Sequence, residues 1–117
     1  MTAGETGLER TRGRLSLKLD AKRLGGDLLV VITGGAAHIG AVGAGTNCNN
    51  MASSSVITLP GHRDDRIAKD AAERISRKTG SNCVVVVGIH YDRITDKEIK
   101  ELIIMGNSLI DELEEIL

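Results

Sequence analysis

The residues best suited to chemistry are three histidines, each of which lies in a loop beside glycine. His38, His62 and His90 are the only histidines in the chain, and each has a glycine within two residues. An imidazole changes charge near neutral pH and ligates metals. A neighbouring glycine lets a ligand approach the backbone N–H groups closely. Three such segments would form a binding or catalytic site if the fold brought them together.

The first loop contains Gly34, Gly35, His38 and Gly40. The paired glycines end an apolar run, where a positive φ and a close approach to a ligand are both possible. The segment is not G-x-G-x-x-G and does not precede a predicted helix, so the dinucleotide fingerprint is absent. The alternative is a glycine-rich hairpin with a solvated histidine.

The second loop, Gly61, His62 and Arg63, directly precedes a helix predicted to begin at Asp64 or Asp65. Free N–H groups and the helix dipole bind anions at such an end, and arginine adds a bidentate phosphate donor. The alternative is an ordinary helix start with charges on its surface.

The third loop follows the Val84–Val87 run and contains His90, Tyr91 and Asp92 after Gly88. Ligands often lie at strand ends in α/β sheets. An imidazole, an aromatic ring and a carboxylate could contact a ligand there. The alternative is a polar strand exit on which Tyr91 packs as cover.

The elements that must position these loops follow from hydrophobic periodicity. The order is β-β-β-β-α-β-α, with strands at 14–23, 28–33, 38–45, 53–59 and 82–88 and helices at 64–78 and after Thr95. This order predicts an α+β fold with a mainly antiparallel sheet, a meander of four successive strands, and both helices on one face. Residues 1–13 are expected to be a frayed tail and 14–117 a single domain. A second copy of the chain could cover the other face of the sheet, so we expect a homodimer or a higher homo-oligomer.

Composition excludes several functions. The formal net charge is −1 and Tyr91 is the only aromatic residue, which argues against a nucleic-acid partner. No window approaches the ~20 apolar residues of a membrane span, and the polar first residues do not resemble a secretory signal. We therefore expect a cytoplasmic protein with no membrane partner.

Metal binding and nucleophilic chemistry are alternative uses of the histidines, cysteines and serines. His38, His62 and His90 could together ligate one zinc ion, as in catalytic three-histidine sites. Cys48 and Cys83 form no C-x-x-C pair; Cys83 is expected to be buried, and Cys48, in a polar loop, could be reactive. The serines at 53–55 show no nucleophile elbow.

The three loops together resemble a known family. The matching segments begin at Gly34, Gly61 and Val87, and are GGAAHIGAV, GHRD and VGIHYD, the last followed by T-x-x-E-I from Thr95. This pattern is similar to the LpdD-like family, small D-subunit proteins encoded beside UbiD-type hydroxyaromatic decarboxylases, and covers roughly residues 14–105. The resemblance implies a proteasome-assembly-chaperone-like fold, a cofactor of prenylated flavin mononucleotide (FMN) or FMN, and a UbiD-type decarboxylase as partner.

The resemblance implies a non-catalytic cofactor chaperone rather than an enzyme. We expect the Gly34–Gly35 backbone and the loop of Gly61, His62 and Arg63 to hold the phosphate. The residues expected to contact the ring edge or the ribityl hydroxyls are His38, His90, Tyr91 and Asp92, and Gly40 is also expected at the cofactor site. Two alternatives stay open: a metal-dependent enzyme built on the three histidines, and a ligand-free assembly subunit whose interaction face is the final helix, with Leu109 and Leu113 in contact with the partner.

Overall fold

The computed structural model describes residues 5–59 and 64–117. The strands in these ranges are β1 (Glu5–Arg12), β2 (Leu15–Leu24), β3 (Asp27–Gly35), β4 (Ala41–Cys48), β5 (Met51–Thr58) and β6 (Cys83–His90). The helices are α1 (Asp65–Thr79) and α2 (Asp96–Ile116). Neither helix is long and apolar enough to cross a bilayer.

The strands form one mixed sheet in the order β1-β2-β3-β6-β4-β5. Every neighbouring pair is antiparallel except β3 and β6, which are parallel. The predicted α+β class and mainly antiparallel sheet are therefore confirmed. The predicted meander is wrong, because β6 lies between β3 and β4. A strand with the sequence Val84–Val87 suits this central position, where both faces carry apolar side chains.

The expectation of a frayed tail over residues 1–13 is wrong for residues 5–12. These residues form β1, which pairs antiparallel with β2 from Glu5↔Lys22 to Arg12↔Leu15. Leu8 packs against the core, and Arg10 donates hydrogen bonds to Ser108 and Glu112 of α2. The strand was missed because it contains a single large apolar residue. Residues 1–4 lie outside the described residues.

Both helices cover the same face of the sheet, as predicted. Alternate strand residues are buried beneath them, and the largest of these are Leu15, Leu17, Leu19, Val30, Ile32, Val85 and Val87. The helix α1 lies against β4, β5 and β6, and α2 lies against β1 and β2. The glycine-rich β4 is explained by this packing, since a Cβ at Gly43 or Gly45 would overlap the backbone of α1 at Ala68 or Ala72.

The predicted helix ends agree with the structure. Asp64 is the N-cap of α1, and Gly80 closes the helix in the left-handed conformation. Thr95 and Glu98 form the predicted capping box at the start of α2, each accepting a hydrogen bond from the other's backbone N–H. The polar segment around Asn49 and Asn50 is a two-residue hairpin turn with both residues at positive φ, which is typical of a type I′ turn.

The final helix does not present Leu109 and Leu113 to a partner. Both side chains are fully buried in the core. The part of the assembly-subunit alternative that rested on these two residues is therefore wrong. The physical reason is that α2 uses its apolar stripe to cover β1 and β2.

Candidate functional site

The parallel pairing of β3 with β6 brings the first and third loops together. Gly35 lies opposite His90 in the register, and the backbone N–H of Ala36 donates to the carbonyl of His90 at 3.0 Å. The rings of His38 and His90 then meet edge to face, with their centroids 6.5 Å apart. Two of the three histidines therefore share one end of the sheet.

The meeting of these loops requires glycine at two positions. Gly35 has φ of 65°, and a Cβ there would overlap the carbonyl oxygen of His90. A Cβ at Gly88 would overlap the backbone of His38. The glycines thus allow the segment after β3 to lie directly against β6, which sets the position of His38.

Asp64 connects this end of the sheet to α1. Its side chain does not cap its own helix; Oδ2 instead accepts a hydrogen bond from the backbone N–H of Ile89 at 3.3 Å. The same oxygen lies 3.8 Å from Nε2 of His38. A Cβ at Gly40 would overlap it as well. Asp64, which the sequence marked only as a helix start, is therefore the central polar group of the site.

Hydrogen-bond partners orient the rings of the two imidazoles. Nδ1 of His38 donates to the carbonyl of Ala36 at 2.9 Å, because a carbonyl oxygen can only accept. Nε2 is therefore the ring nitrogen of His38 that faces Asp64. Nε2 of His90 pairs with Oδ1 of Asp92 at 3.1 Å on the exposed side of the strand end.

A cavity of about 540 Å³ opens beside His90, between the first turns of the two helices. Small-molecule sites commonly have ~300–1,000 Å³. The start of α1 supplies Asp64, Asp65, Arg66 and Ile67 to the wall, and β6 supplies Ile89 and His90. The other wall is aliphatic and consists of Ile94, Ile99, Leu102 and Ile103. The cavity wall therefore combines charged side chains from α1 with aliphatic side chains from both helices and β6.

Tyr91 points away from this cavity and holds the chain in place. Its hydroxyl donates to the carbonyl of Ser16 at 2.7 Å and accepts from the N–H of Ser16 at 2.6 Å. The guanidinium of Arg14 lies 5.6 Å from the centre of the ring. In the structure Tyr91 thus fastens the end of β6 to β2.

Arg14 and Glu98 complete this fastening. Arg14 donates two hydrogen bonds to the carboxylate of Glu98, at 2.7 and 2.9 Å, and a third to the carbonyl of Asp92. The Arg14 hydrogen bonds, together with the backbone N–H of Thr95, lower the pKa of Glu98 to about 2. The connection from β6 to α2 is therefore anchored at both its ends.

Of the predicted site residues in the described part of the chain, His90 alone lines the cavity. A Cβ at Gly34 would meet Leu17 and Ser16, so Gly34 serves the packing of β3 on β2. Gly61, His62 and Arg63 lie outside the described residues. They directly precede Asp64 in the sequence.

Metal binding was the alternative use of the histidines. Within residues 5–59 and 64–117, no three His, Cys, Asp or Glu side chains are arranged to hold a metal ion. Since His62 is not among those residues, the three-histidine alternative stays a prediction. Cys83 is buried, and burial raises its pKa to about 12, whereas Cys48 is exposed at the end of β4.

The sequence did not single out Arg66, and it pointed to the apolar face of the final helix without showing which of its residues border a cavity. Arg66 lies in the first turn of α1, and Ile99 and Ile103 lie in the first two turns of α2. Ile99 and Ile103 are spaced by four, so they share a helix face. That spacing was visible in the sequence, but it also suits an ordinary core stripe, and only the tertiary structure shows that the face borders a cavity.

A solved structure shares this fold. The chain matches a protein of the crystal structure titled "a Novel Chaperone Complex for Yeast 20S Proteasome Assembly" with a TM-score of 0.63, covering 96% of this chain and 97% of that one. The sequence identity is 15%, so the match defines the fold. The protein therefore has the α+β fold of a proteasome-assembly chaperone, with a cavity at one end of its sheet.

The family is narrower than the fold. Residues 11–117 match the model of the prenylated flavin chaperone LpdD-like domain, and the chain belongs to this family. Protein LpdD of Lactiplantibacillus plantarum is 34% identical over 82 residues, which are 65% of this chain and 58% of that protein. The matched stretch thus spans little more than half of the relative. The family is one of chaperones, which supports a chaperone role and agrees with the expectation that the chain is not an enzyme.

Proposed function

We propose that the chain binds prenylated FMN and acts as a cofactor chaperone for a UbiD-type decarboxylase. The observation that carries this proposal is the cavity between the starts of α1 and α2, whose wall combines His90 and Arg66 with aliphatic side chains. A flavin nucleotide offers surfaces of both kinds, since it joins an anionic phosphate to a flat, largely apolar ring. The description of the family specifies a prenylated flavin, and for this reason we propose prenylated FMN as the ligand.

The residues present fit such a cofactor. The N-terminus of α1 presents free backbone N–H groups and the positive end of the helix dipole, and Arg66 can donate two parallel hydrogen bonds to a phosphate. The carboxylates of Asp64 and Asp65 in the same wall oppose an anion, so the phosphate is expected nearer to Arg66. His62 and Arg63 precede this turn in the sequence, and we retain them, with Gly61, as phosphate ligands.

The aliphatic wall can take the place of the aromatic side chains that often stack on a flavin ring. The side chains of Ile99 and Ile103 can pack against the ring and the prenyl group of the cofactor. This contact buries apolar surface of both the protein and the cofactor. His90 is expected to contact the polar edge of the ring or the ribityl hydroxyls, and we retain His38 and Asp92, which do not line the cavity, as predicted contacts. Gly35 and Gly40 contribute by letting the His38 segment lie close to β6 and Asp64.

The chaperone role needs no chemistry on the flavin. We infer that the chain shields the cofactor from water and releases it to the decarboxylase in the cytoplasm, and that it does so as a homodimer or higher homo-oligomer. The cavity is open to solvent between two helix starts, which suits a carrier that must take up and release its ligand. Binding of intermediate strength is expected, because a carrier that binds too tightly cannot deliver.

The experiment is a titration of the purified chain with FMN and with prenylated FMN, followed by calorimetry and by flavin fluorescence. Binding is expected for at least the prenylated form, and Arg66→Ala should weaken it about tenfold, as for a lost charge-assisted hydrogen bond. Arg77→Ala is the matched control, since Arg77 lies at the opposite end of α1 and pairs with Glu73.

A second matched pair tests the apolar wall. Ile103→Ser should weaken binding of prenylated FMN, whereas Ile104→Ser, at the next and exposed position of α2, should not. Absence of binding to both flavins would overturn the proposal. So would binding that neither Arg66→Ala nor Ile103→Ser changes. Transfer of the cofactor is then tested with the apo-decarboxylase. The flavin-loaded chain is mixed with it, and the flavin that elutes with each protein is measured.

A further inference from the structure

The strand β5 forms one edge of the sheet and differs from the strand at the other edge. It contains no charged residue, no glycine and no proline. At the opposite edge, β1 carries the charged residues Glu5, Glu9, Arg10 and Arg12. Natural sheets protect their edges from further pairing with charges, prolines or bulges. The edge at β5 therefore lacks the charges that protect the edge at β1.

The backbone of β5 is regular along its whole length. It pairs with β4 without a bulge, from Met51↔Cys48 to Thr58↔Ala41. The two-residue turn that precedes β5 makes Met51 and Cys48 a hydrogen-bonded pair. Every second residue from Met51 therefore bonds to β4, and the residues between them direct their N–H and C=O groups to the open edge. These residues are Ala52, Ser54, Val56 and Thr58.

The open edge selects an extended chain as its ligand. Within residues 5–59 and 64–117, β4 is the one strand that pairs with β5, and no backbone hydrogen bond from another element reaches Ala52, Ser54 or Val56. A row of alternating N–H and C=O groups is satisfied either by water or by another strand. An added strand makes these main-chain bonds in the recognition mode called β-augmentation.

The side chains of β5 leave room for such a strand. On the side of the sheet away from the helices, Ser53 and Ser55 are small and lie at the centre of the strand. Near its ends on the same side, Met51 is 76% exposed and Ile57 is 67% exposed. Apolar side chains of an added strand would contact these two residues. The ligand is therefore expected to be apolar on this side.

A lysine of α1 adds a charge preference on the helix side. Nζ of Lys69 donates to Oγ of Ser54 at 3.1 Å, at the centre of β5. The nearby Glu73 carboxylate has both oxygens occupied, since it accepts hydrogen bonds from Ser54 and Arg77, which lower its pKa. No carboxylate in the described part of the chain forms an ion pair with Lys69. An acidic residue paired with Ser54 would lie on the same face and meet this ammonium group.

We propose that β5 binds an extended, acidic segment of another protein as a further strand of the sheet. A second copy of this chain matches the edge less well, because its β5 has no carboxylate to meet Lys69. A symmetric β5–β5 pair centred on Ser54 would also bring two Lys69 ammonium groups together. No residue of β5 lines the cavity beside His90, so strand addition does not depend on the flavin proposal.

The test uses the chain without flavin and a capped synthetic octapeptide. In this peptide threonine and valine alternate, and one central threonine is replaced by glutamate. Amide hydrogen exchange and NMR shifts report on each N–H group of β5. The N–H groups of Ala52, Ser54 and Val56 should exchange rapidly in the free chain and at least about tenfold more slowly with the peptide bound. Those of Ser53 and Ser55, which bond to β4, should be protected throughout.

Charge reversal tests the role of Lys69. Replacing the glutamate of the peptide with lysine should weaken binding about fivefold, because an attraction becomes a repulsion. Lys69→Glu should reverse the order of the two peptides. Lys78→Glu is the matched control, since Lys78 is an exposed lysine in the last turn of the same helix. It should leave the order unchanged.

A proline tests the backbone contact. Ala52→Pro removes an N–H group that faces the open edge and leaves the hydrogen bonds to β4 intact, as proline does on natural edge strands. Binding of the glutamate peptide should weaken about fivefold, as for a lost hydrogen bond. Far-UV circular dichroism and urea unfolding check that each variant folds.

Three results overturn the proposal. The first is exchange at Ala52, Ser54 and Val56 that neither peptide slows. The second is equal binding of the two peptides by the wild-type chain. The third is protection of the same N–H groups in the free chain that rises with protein concentration, which would assign the edge to a second copy.

Discussion

The carboxylate of Asp64 accepts a hydrogen bond from the backbone N–H of Ile89, across 25 positions of sequence. This bond joins the start of α1 to the end of β6, which together form one wall of the candidate cavity. Asp64 is 9% exposed, so its carboxylate is held in a largely dry position. The site therefore depends on one buried acidic group outside the hydrophobic core.

We expect Asp64→Ala to lower the free energy of unfolding by about 1–3 kcal/mol, because the N–H of Ile89 loses its buried acceptor. Urea denaturation monitored by circular dichroism measures this change. Asp70→Ala is the control, since Asp70 is an exposed carboxylate on the same helix and its loss should change stability by no more than ~0.5 kcal/mol. Equal effects of the two variants would contradict the role given to Asp64.

The larger elements could be predicted because each carries a local signal. The capping box at Thr95, the turn at Gly80 and the apolar runs of β3 and β6 all depend on nearby residues. The position of β6 between β3 and β4 could not be predicted, since the choice of strand neighbours depends on contacts between distant segments. β1 was missed because its partner β2, rather than its own composition, stabilises it.

The candidate site was predictable in part. The convergence of His38 and His90 was an expectation from their glycine loops, and the parallel register of β3 and β6 produces it. No local pattern separates a ring that binds a ligand from one that packs, which is why Tyr91 was grouped with the histidines. Arg66 was missed because a single arginine in the first turn of a helix resembles any surface charge.

Tyr91→Phe tests that distinction. Removing the hydroxyl breaks both of its hydrogen bonds to the backbone of Ser16, so we expect the free energy of unfolding to fall by about 1–3 kcal/mol. The ring and its contact with Arg14 remain, so the affinity for FMN should stay within about twofold. Thermal or urea unfolding and a flavin titration provide the two readouts. Unchanged stability together with weaker flavin binding would show that Tyr91 contacts the ligand.

Glu98 should make stability depend on acid pH. Its pKa falls from an ordinary value of 4.5 to about 2 in the folded chain, chiefly through its hydrogen bonds from Arg14. A lowered folded pKa means that the unfolded chain binds the proton more readily. The stabilisation is therefore complete above about pH 4.5 and is lost as the pH falls toward 2.

The measurement is urea unfolding across pH 2 to 6 for the wild type and for Glu98→Gln. The variant has no carboxylate to protonate, so its stability should fall less steeply between pH 4.5 and 2. Glu115→Gln, an exposed carboxylate near the end of the same helix, should keep the slope of the wild type. Parallel curves for the wild type and Glu98→Gln would show that the Arg14 pair does not hold in solution.

Gly88→Ala tests whether the close approach of two loops builds the site. A Cβ at Gly88 would overlap the carbonyl oxygen and carbon of His38, and these backbone atoms cannot move aside without shifting the segment after β3. We expect a loss of several kcal/mol in stability, as for overpacking against backbone, and a weakened affinity for flavin because His38 is displaced.

Gly26→Ala is the matched control. Gly26 lies in a turn outside the left-handed region, and a Cβ there meets nothing within 4 Å. This substitution should leave flavin binding unchanged and raise stability slightly, by about 0.4–1 kcal/mol, through the lower entropy of the unfolded chain. Urea unfolding and flavin titration of both variants give the comparison. If Gly88→Ala were as stable as Gly26→Ala, the His38 segment could not lie against β6, and the two histidines would not share one site.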